Sequence, residues 1–479
     1  MPNDSTSHRL IVDLSSLARW YGPAVGISRV ERNFATWARA HRPHTVFAFY
    51  DPLTREFRKI RSEWIDPVLA GDVVVDLWGI PEPSPTRRHK SDRIPPWIRP
   101  QAMGVLQLRK QALVMLERIR LTSKNGRLAK LADRLQMLLM SEKYRRQMIT
   151  ASGNRRSLVP YSTFLGNRLM LTPRDILFSA GSGWTSLNIE ALRALKLRDG
   201  FRYVQFCHDI IPIQFPETYR EHDFQEFRNF YRGAFPIADL VIFGARRIRS
   251  DVEAYCRTLG ISLHATAVAS FGSDAVRQRT AAATPLQPGI ERDRYALLVS
   301  TIEPRKGHEL LYRVWKRLLA DGIPQARNFK LVFLGRPGWM VENLLREIAA
   351  DRNLGDTLRI ISFAGDDELA TLYANAAFCI YPSLYEGYGL PVVEAFSYGK
   401  AVIASAGGAI PEVAGEFSPC LDPKDAESWY RTLRGWIEDP SLRAPYENAI
   451  RTRYRPTSWN EASVKLFELI DANFRQEAR

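Results

Sequence analysis

Leu10 to Leu14 (LIVDL) opens a series of short, nearly continuous apolar runs, the pattern of strands buried on both faces of a parallel sheet. HTVFAFY, VVVDL, DILFSA, YVQFCHD and ADLVIFG follow it in the first part of the chain, each bounded by polar or turn residues. The loop WYGPAVGIS leads from the first run into a predicted helix from Ser28 to about Ala40. A second series predicts strand YALLVS, a helix from His308, strand KLVFLG, a helix from Val341, strand IISFAG and a helix from Asp367. Strand AAFCIYPS, a glycine-rich turn, a helix from Pro391 and strand AVIAS complete it, and helices from Ala426 and Ser458 close the chain. Strands alternating with helices predict an α/β fold of two Rossmann-like domains with a cleft between them.

Length supports the same division, because 479 residues are too many for one hydrophobic core. GSDAVRQRTAAATPLQPGIER, between Gly272 and Arg292, reads as the linker. The expected domains are therefore 1–285, 286–455 and a C-terminal helical piece, 456–479, packing back toward the first domain. A hydrophobic content of 45% and a charged content of 25% are those of an ordinary globular protein. No run reaches the ~18 apolar residues of a membrane span, and the N-terminus does not read as a secretory signal. Cys207, Cys256, Cys379 and Cys420 lack metal-site spacing and read as buried core thiols in a reducing cytoplasm.

Charge changes the picture in one place. Residues 87–156 hold 18 Lys and Arg against 4 Asp and Glu, so a net +14 of the chain's +15 sits there. Val105, Leu108, Ala112, Met115, Leu116 and Ile119 recur at helical spacing, and Leu128, Leu131, Leu135 and Leu138 continue it. The segment reads as a basic helical insertion with one apolar face. Its apolar residues are Leu, Met and Ile rather than the interleaved aromatics of a nucleic-acid channel, so no nucleic-acid partner is expected. Two uses remain open: binding an anionic membrane surface, or packing as a lid on its own domain.

The chemistry concentrates in Tyr381 to Ala414, YPSLYEGYGLPVVEAFSYGKAVIASAGGAIPEVA. A strand gives way to a loop carrying Glu386, Gly387 and Gly389, and Pro391 opens a helix, where its missing N–H costs nothing. Glycines admit a ligand to the bare backbone, and a helix N-terminus attracts phosphate. Glu386 and Glu394 would repel that phosphate, so they suit sugar hydroxyls. The stretch resembles the donor-binding signature of retaining GT-B glycosyltransferases of family four, a group rich in mannosyl- and glucosyltransferases. The resemblance is good over most of Tyr295 to Ile470 and looser before it. It implies that Glu386 binds the transferred sugar, Glu394 the ribose hydroxyls, and the amides of Gly387, Tyr388, Gly389 and Leu390 the hexose and diphosphate.

In LLVSTIEPRKG, Lys306 stands where the family has the lysine that meets the diphosphate, while Ser300-Thr301 replaces the usual Gly-Arg. The EPRK wording resembles a subgroup containing many mannosyltransferases, in which Arg305 shares the load. That wording alone makes GDP-mannose the expected donor. His208, at a strand end in VQFCHDIIPIQFP, resembles the family's histidine facing the transferred sugar. Gly26, Ile27, Ser28 and Arg29 resemble its amino-terminal glycine loop, for diphosphate or acceptor, and Ser182, Gly183 and Trp184 lie at the same expected edge. Gly407-Gly408 fits a loop facing the cleft. Asp366-Asp367 reads as a helix cap rather than a metal site, and neither a metal nor a cofactor is expected beyond the nucleotide sugar.

The resemblance thus implies a retaining hexosyltransferase with catalytic His208, Lys306 and Glu386. Its acceptor would be a saccharide in surface polysaccharide synthesis, and the basic insertion adds the expectation that this acceptor is lipid-linked. Rival readings are an inverting GT-B transferase, a sugar-nucleotide epimerase, or a non-catalytic membrane- or nucleic-acid-binding protein. The expected location is cytoplasmic, and peripheral on the inner face of the membrane under the membrane-binding use of the basic insertion.

Overall fold

In the computed structural model, the residues described are 8–21, 26–77, 126–139, 156–273 and 285–475, with single helical positions between 101 and 119. Ten strands come first: β1 (Arg9–Asp13), β2 (Val46–Asp51), β3 (Glu56–Ile60), β4 (Val73–Asp76), β5 (Ser157–Pro160), β6 (Leu165–Arg168), β7 (Asp175–Ser179), β8 (Arg202–Cys207), β9 (Leu240–Phe243) and β10 (Thr266–Val268). Eight of them form a sheet in the order β10-β9-β8-β7-β1-β2-β3-β6, and β4 pairs with β5 separately. The expected parallel pairing holds for β1 with β2 and β7, and for β7 with β8. β3 and β6 depart from it, running antiparallel at one edge. The sequence of β3, EFRKI, is mostly charged and buries only Phe57 and Ile60, with a register irregularity against β6 between Arg58 and Ile60, so it offers no continuous apolar run.

The second sheet is wholly parallel. Its strands are β11 (Tyr295–Val299), β12 (Lys330–Leu334), β13 (Leu358–Ile361), β14 (Phe378–Tyr381), β15 (Val402–Ser405) and β16 (Cys420–Leu421), in the order β13-β12-β11-β14-β15-β16. The strand order switches between β11 and β14, the kind of point at which open α/β sheets form a ligand-binding crevice. Helices His308–Ala320, Leu390–Ser397 and Ala426–Glu438 pack on it, burying Trp315 and Trp429 completely. Asp425 caps the last of these through the amides of Glu427 and Ser428. Ser458 and Glu461 exchange backbone contacts as a capping box at the start of Trp459–Arg475.

By compactness the chain divides into one unit of 1–206 with 225–240, and another of 207–224 with 241–477. The sequence boundary at 285 differs from this division, which groups His208 with the second sheet. Most of the expected linker, 274–284, lies outside the described residues, as does most of the basic insertion. Within that insertion helix Gly126–Leu139 is present. It buries Ala132 and Gln136, whose amide donates to the Leu113 carbonyl at 3.2 Å. Leu128, Leu131, Leu135 and Leu138 are all exposed, Leu138 at 76%. The apolar stripe therefore points outward. Among the cysteines, all free, Cys420 is only half-buried, because it sits on the two-residue edge strand β16.

Candidate active site

The second unit gathers its chemistry at the carboxyl ends of β11 and β14. β11 leads into a single turn, Pro304–Lys306, and β14 leads into the loop carrying Glu386. The Leu384 amide donates to the Arg305 carbonyl at 2.7 Å, joining the two loops through backbone. Their side chains then meet. Lys306 Nζ lies 2.5 Å from Glu386 Oε1, and Arg305 Nη1 lies 3.1 Å from the same oxygen. Arg305 also reaches Glu303 at 2.9 Å and the Tyr385 carbonyl at 3.1 Å.

Glu386 is only 6% exposed, so water does little to moderate these charges. Burial alone would raise its carboxyl. Lys306 and Arg305 outweigh burial and hold it at about 2. Burial likewise opposes the charge on Arg305, and the neighbouring Glu386 and Glu303 carboxylates keep that guanidinium firmly protonated. Two anions and two cations thus compensate each other in a nearly dry site. Glu303 and its role here escaped the sequence reading, although it stands in the same EPRK run.

Glu394 lies on helix Leu390–Ser397, also buried, and its Oε2 accepts a hydrogen bond from the Tyr373 hydroxyl at 3.1 Å. Both carboxylates act on Tyr381, whose hydroxyl is 3.5 Å from Lys306 Nζ. Burial first, then Glu386 and, more weakly, Glu394, hold the Tyr381 phenol protonated. The tyrosines are a further group the sequence reading missed. Tyr381 ends β14 and Tyr373 lies in helix Asp366–Asn375, and neither position signals these contacts in the sequence.

At the start of that helix Gly389 has φ +107°, a conformation a side chain would strain. The amides of Gly387, Tyr388, Gly389 and Leu390 donate to no backbone carbonyl among the described residues. They are the free donors expected of a helix N-terminus. Gly387 is needed for another reason: a Cβ there would overlap the His208 carbonyl oxygen and stand 2.9 Å from the Asp209 Cβ. This close approach brings His208, itself 6% exposed, against the Glu386 loop. Gly407 and Gly408 lie behind the same loop, where Ala409 N donates to the Glu386 carbonyl at 2.9 Å.

His208, Arg305, Lys306, Glu386 and Gly387 are therefore brought together, with Tyr388, Gly389, Leu390 and Glu394 continuing from them. Ser300 and Thr301, in place of the family's Gly-Arg, put no cation at the end of β11; Ser300 Oγ is 3.5 Å from His308 Nε2. Asp366 and Asp367 lie inside the first turn of Asp366–Asn375, and Gly365 is the cap, a correction to their expected capping role.

Gly26, Ile27, Arg29 and Trp184 belong to the first unit. Gly26 is the N-cap of helix Ile27–His41, and Arg29 N donates to its carbonyl at 3.1 Å. Trp184 packs on Phe227 and Tyr231, at ring-centroid distances of 4.8 and 6.1 Å. The first unit also holds a buried pair unremarked in the sequence. Asp13 accepts from Ser179 Oγ at 2.8 Å, and Glu31 accepts from Ser16 Oγ at 2.7 Å. Burial, aided by the charge of Asp13, lifts the Glu31 carboxyl to about 8.

Residues 285–453 match the family described as Glycosyl transferases group 1. This part of the chain is a Glycosyl transferases group 1 domain. It contains Arg305, Lys306, Glu386 and Glu394. The chain is 32% identical over 149 residues to the O-antigen chain mannosyltransferase B of Escherichia coli, covering 31% of this chain and 38% of that one. It is 31% identical over 181 residues to the MMP alpha-(1->4)-mannosyltransferase of Mycolicibacterium hassiacum, covering 37% of this chain and 42% of that one. The chain thus spans about two fifths of the length of these curated relatives. Over its whole length it has the fold of the GT-B glycosyltransferases. Sucrose-phosphate synthase from Thermosynechococcus elongatus aligns with 98% of the chain at a TM-score of 0.54 and 16% identity, covering 100% of that chain. Anabaena Alr3699/HepE, solved with UDP and glucose, aligns with 97% at a TM-score of 0.54 and 13% identity, covering 99% of that chain.

Proposed function

We propose that the protein is a retaining hexosyltransferase that moves mannose from GDP-mannose to a hydroxyl of a saccharide acceptor. The observation that carries this reading is the buried Glu386 held ionised by Lys306 and Arg305, beside the free amides at the start of helix Leu390–Ser397. A sugar diphosphate offers matching groups. Its hydroxyls donate to Glu386 and Glu394, and its phosphates take the amides and the positive end of the helix. As the bond from the anomeric carbon to the diphosphate breaks, negative charge grows on the leaving oxygen. Lys306 and Arg305 are placed to stabilise it, the kind of contribution that usually dominates such catalysis. The acceptor oxygen then bonds to the anomeric carbon on the same face, and its proton passes to the departing phosphate. His208 lines the sugar side. The mannosyl preference draws support from the EPRK run and from the names of the two relatives above.

The acceptor is proposed to be lipid-linked and presented at the inner face of the membrane. Support comes from the basic segment and from helix Gly126–Leu139, where exposed Arg127, Lys130 and Arg134 flank the exposed leucines. Leucines seated among acyl chains and cations among anionic headgroups suit this arrangement. Among the described residues no helix is long and apolar enough to cross a membrane.

The test is a thermal-shift screen of GDP, UDP, ADP and dTDP sugars, followed by transfer assays and anomeric analysis of the product. GDP-mannose should raise the melting temperature most, and Glu386→Gln should abolish transfer. An inverted product, free sugar epimer without glycoside, or no response to any sugar nucleotide would overturn the proposal. Flotation with anionic liposomes, with and without residues 87–156, tests the membrane clause separately: an intact chain that stays unbound at low salt refutes it.

A further inference from the structure

A cavity of about 760 Å³ lies in the same unit as the proposed donor site, away from its residues, and is lined in part by Asp293, Lys400, Arg443, Glu447, Arg451 and Arg455. Its position follows from the topology. Asp293 precedes β11, Ala377 precedes β14 and Lys400 precedes β15, so the cavity opens at the amino edge of the sheet. The residues of the proposed donor site follow those strands, at the carboxyl edge. Helix Leu390–Ser397 spans the distance, its first residues at the donor amides and Ser397 in the cavity wall.

The cavity's charges are not balanced. Arg443 is neutralised by Glu447 at 3.0 Å. Lys400, whose side chain is only 17% exposed, has its carboxylate, Asp293, no nearer than 4.0 Å, and Arg292 lies at the same distance from Asp293. Burial accordingly lowers the Lys400 pKa, with Asp293 only partly opposing it. Arg451 and Arg455 have no carboxylate partner among the described residues. Phe396 and Tyr454, packed edge to face at 5.2 Å, give the cavity an apolar wall, and Ser397 adds a hydroxyl.

We propose that this cavity is a second ligand site, binding a phosphate-bearing small molecule of about the size of a hexose phosphate. The volume falls within the range of small-molecule sites and far exceeds a bare ion. Arginine forks match phosphate oxygens in pairs, and a phosphate there would give Lys400 a closer anion than Asp293 at 4.0 Å. The aromatic wall and Ser397 would take the remainder of the molecule.

Calorimetric titration of the full chain with inorganic pyrophosphate and with mannose 1-phosphate tests this. Lys306→Met disables the proposed donor site and should leave one binding event for each probe. Lys400→Gln/Arg451→Gln should weaken that event at least tenfold while leaving the binding of GDP unchanged. Arg451→Gln alone alters an exposed side chain, so its folding is secure, and it should weaken both probes about threefold. Equal binding by Arg451→Gln and the unaltered chain would overturn the proposal. So would loss of all probe binding in Lys306→Met.

Discussion

Replacing Lys306 by Met removes the ammonium 2.5 Å from Glu386 and keeps most of the apolar stem. The Glu386 carboxyl is held at about 2, against an ordinary value of 4.5. At about 1.4 kcal/mol per pH unit, that gap corresponds to about 3 kcal/mol of folding stability, with no large discount for solvent in a side chain this buried. The sign follows from the direction of the shift. A depressed carboxyl contributes stability that is fully present above about 4.5 and is lost as the pH falls through the folded value. Without Lys306, burial raises the carboxyl, and Arg305 alone opposes it.

Lys306→Met should therefore cost about 3 kcal/mol at pH 7, within the range expected when a buried pair loses one member. The deficit should shrink as the pH falls from 7 toward 4, because protonation then relieves the uncompensated carboxylate in the variant. Glu386→Gln should destabilise as well, and the double variant by clearly less than the sum. Urea unfolding followed through tryptophan fluorescence measures all three, since Trp315, Trp429 and Trp436 are buried in the second unit. Additive single losses, agreeing within ~0.5 kcal/mol, would refute a direct pairing of these charges. So would a Lys306→Met deficit that stays constant across the pH range.

Gly387→Ala forces a methyl group onto the His208 carbonyl; the loop must retreat, so the melting temperature should drop and kcat/KM should fall about 100-fold in the protein that remains folded. Unchanged turnover would show that the close approach has no bearing on the site. Tyr373→Phe deletes the hydroxyl that donates to Glu394 at 3.1 Å, and should raise the donor KM several-fold with kcat nearly intact. Loss confined to kcat would place Glu394 elsewhere in the reaction. Glu31→Gln addresses the first unit. With its carboxyl raised to about 8, Glu31 contributes stability that is full below about 4.5 and lost as the pH rises through 8. The variant should flatten thermal stability across pH 5 to 8, and an unchanged profile would contradict the raised value.

Most strands of the second sheet were legible because both their faces are covered, leaving an apolar run that needs no partner to be recognised, whereas the half-buried pair of residues in β16 was not read. β11, β12, β14 and β15 all fall where such runs occur, and helix Leu390–Ser397 begins one residue before the proline that announces it. β3 and β6 were not legible, since a short strand with few apolar residues resembles a loop until its partner is known. The same limit applies to the site. Glu386 and Glu394 stand in one readable stretch, whereas the pairing of Glu386 with Lys306 spans 80 positions in sequence. The dependence of Gly387 on the His208 carbonyl is more distant still. Local spacing names residues, but only the crossover between parallel strands decides which of them share an electric field.

That field bears on how a diphosphate would be received. Lys306 and Arg305 do not face the site as spare positive charge, because Glu386 and Glu303 already hold them. An arriving diphosphate must compete with Glu386 for the same cations, at a cost in that carboxylate's stabilisation. A sugar hydroxyl donating to Glu386 offsets this cost, and a bare nucleoside diphosphate has no such hydroxyl near it. The amides of Gly387 to Leu390 carry no carboxylate partner and so supply the attraction that both ligands share. The proposed donor should then gain more from Glu386 than the nucleotide product does, so that Glu386→Gln weakens GDP-mannose while leaving GDP bound or even tightening it. Equal weakening of the two would mean that Glu386 serves the phosphates and not the sugar.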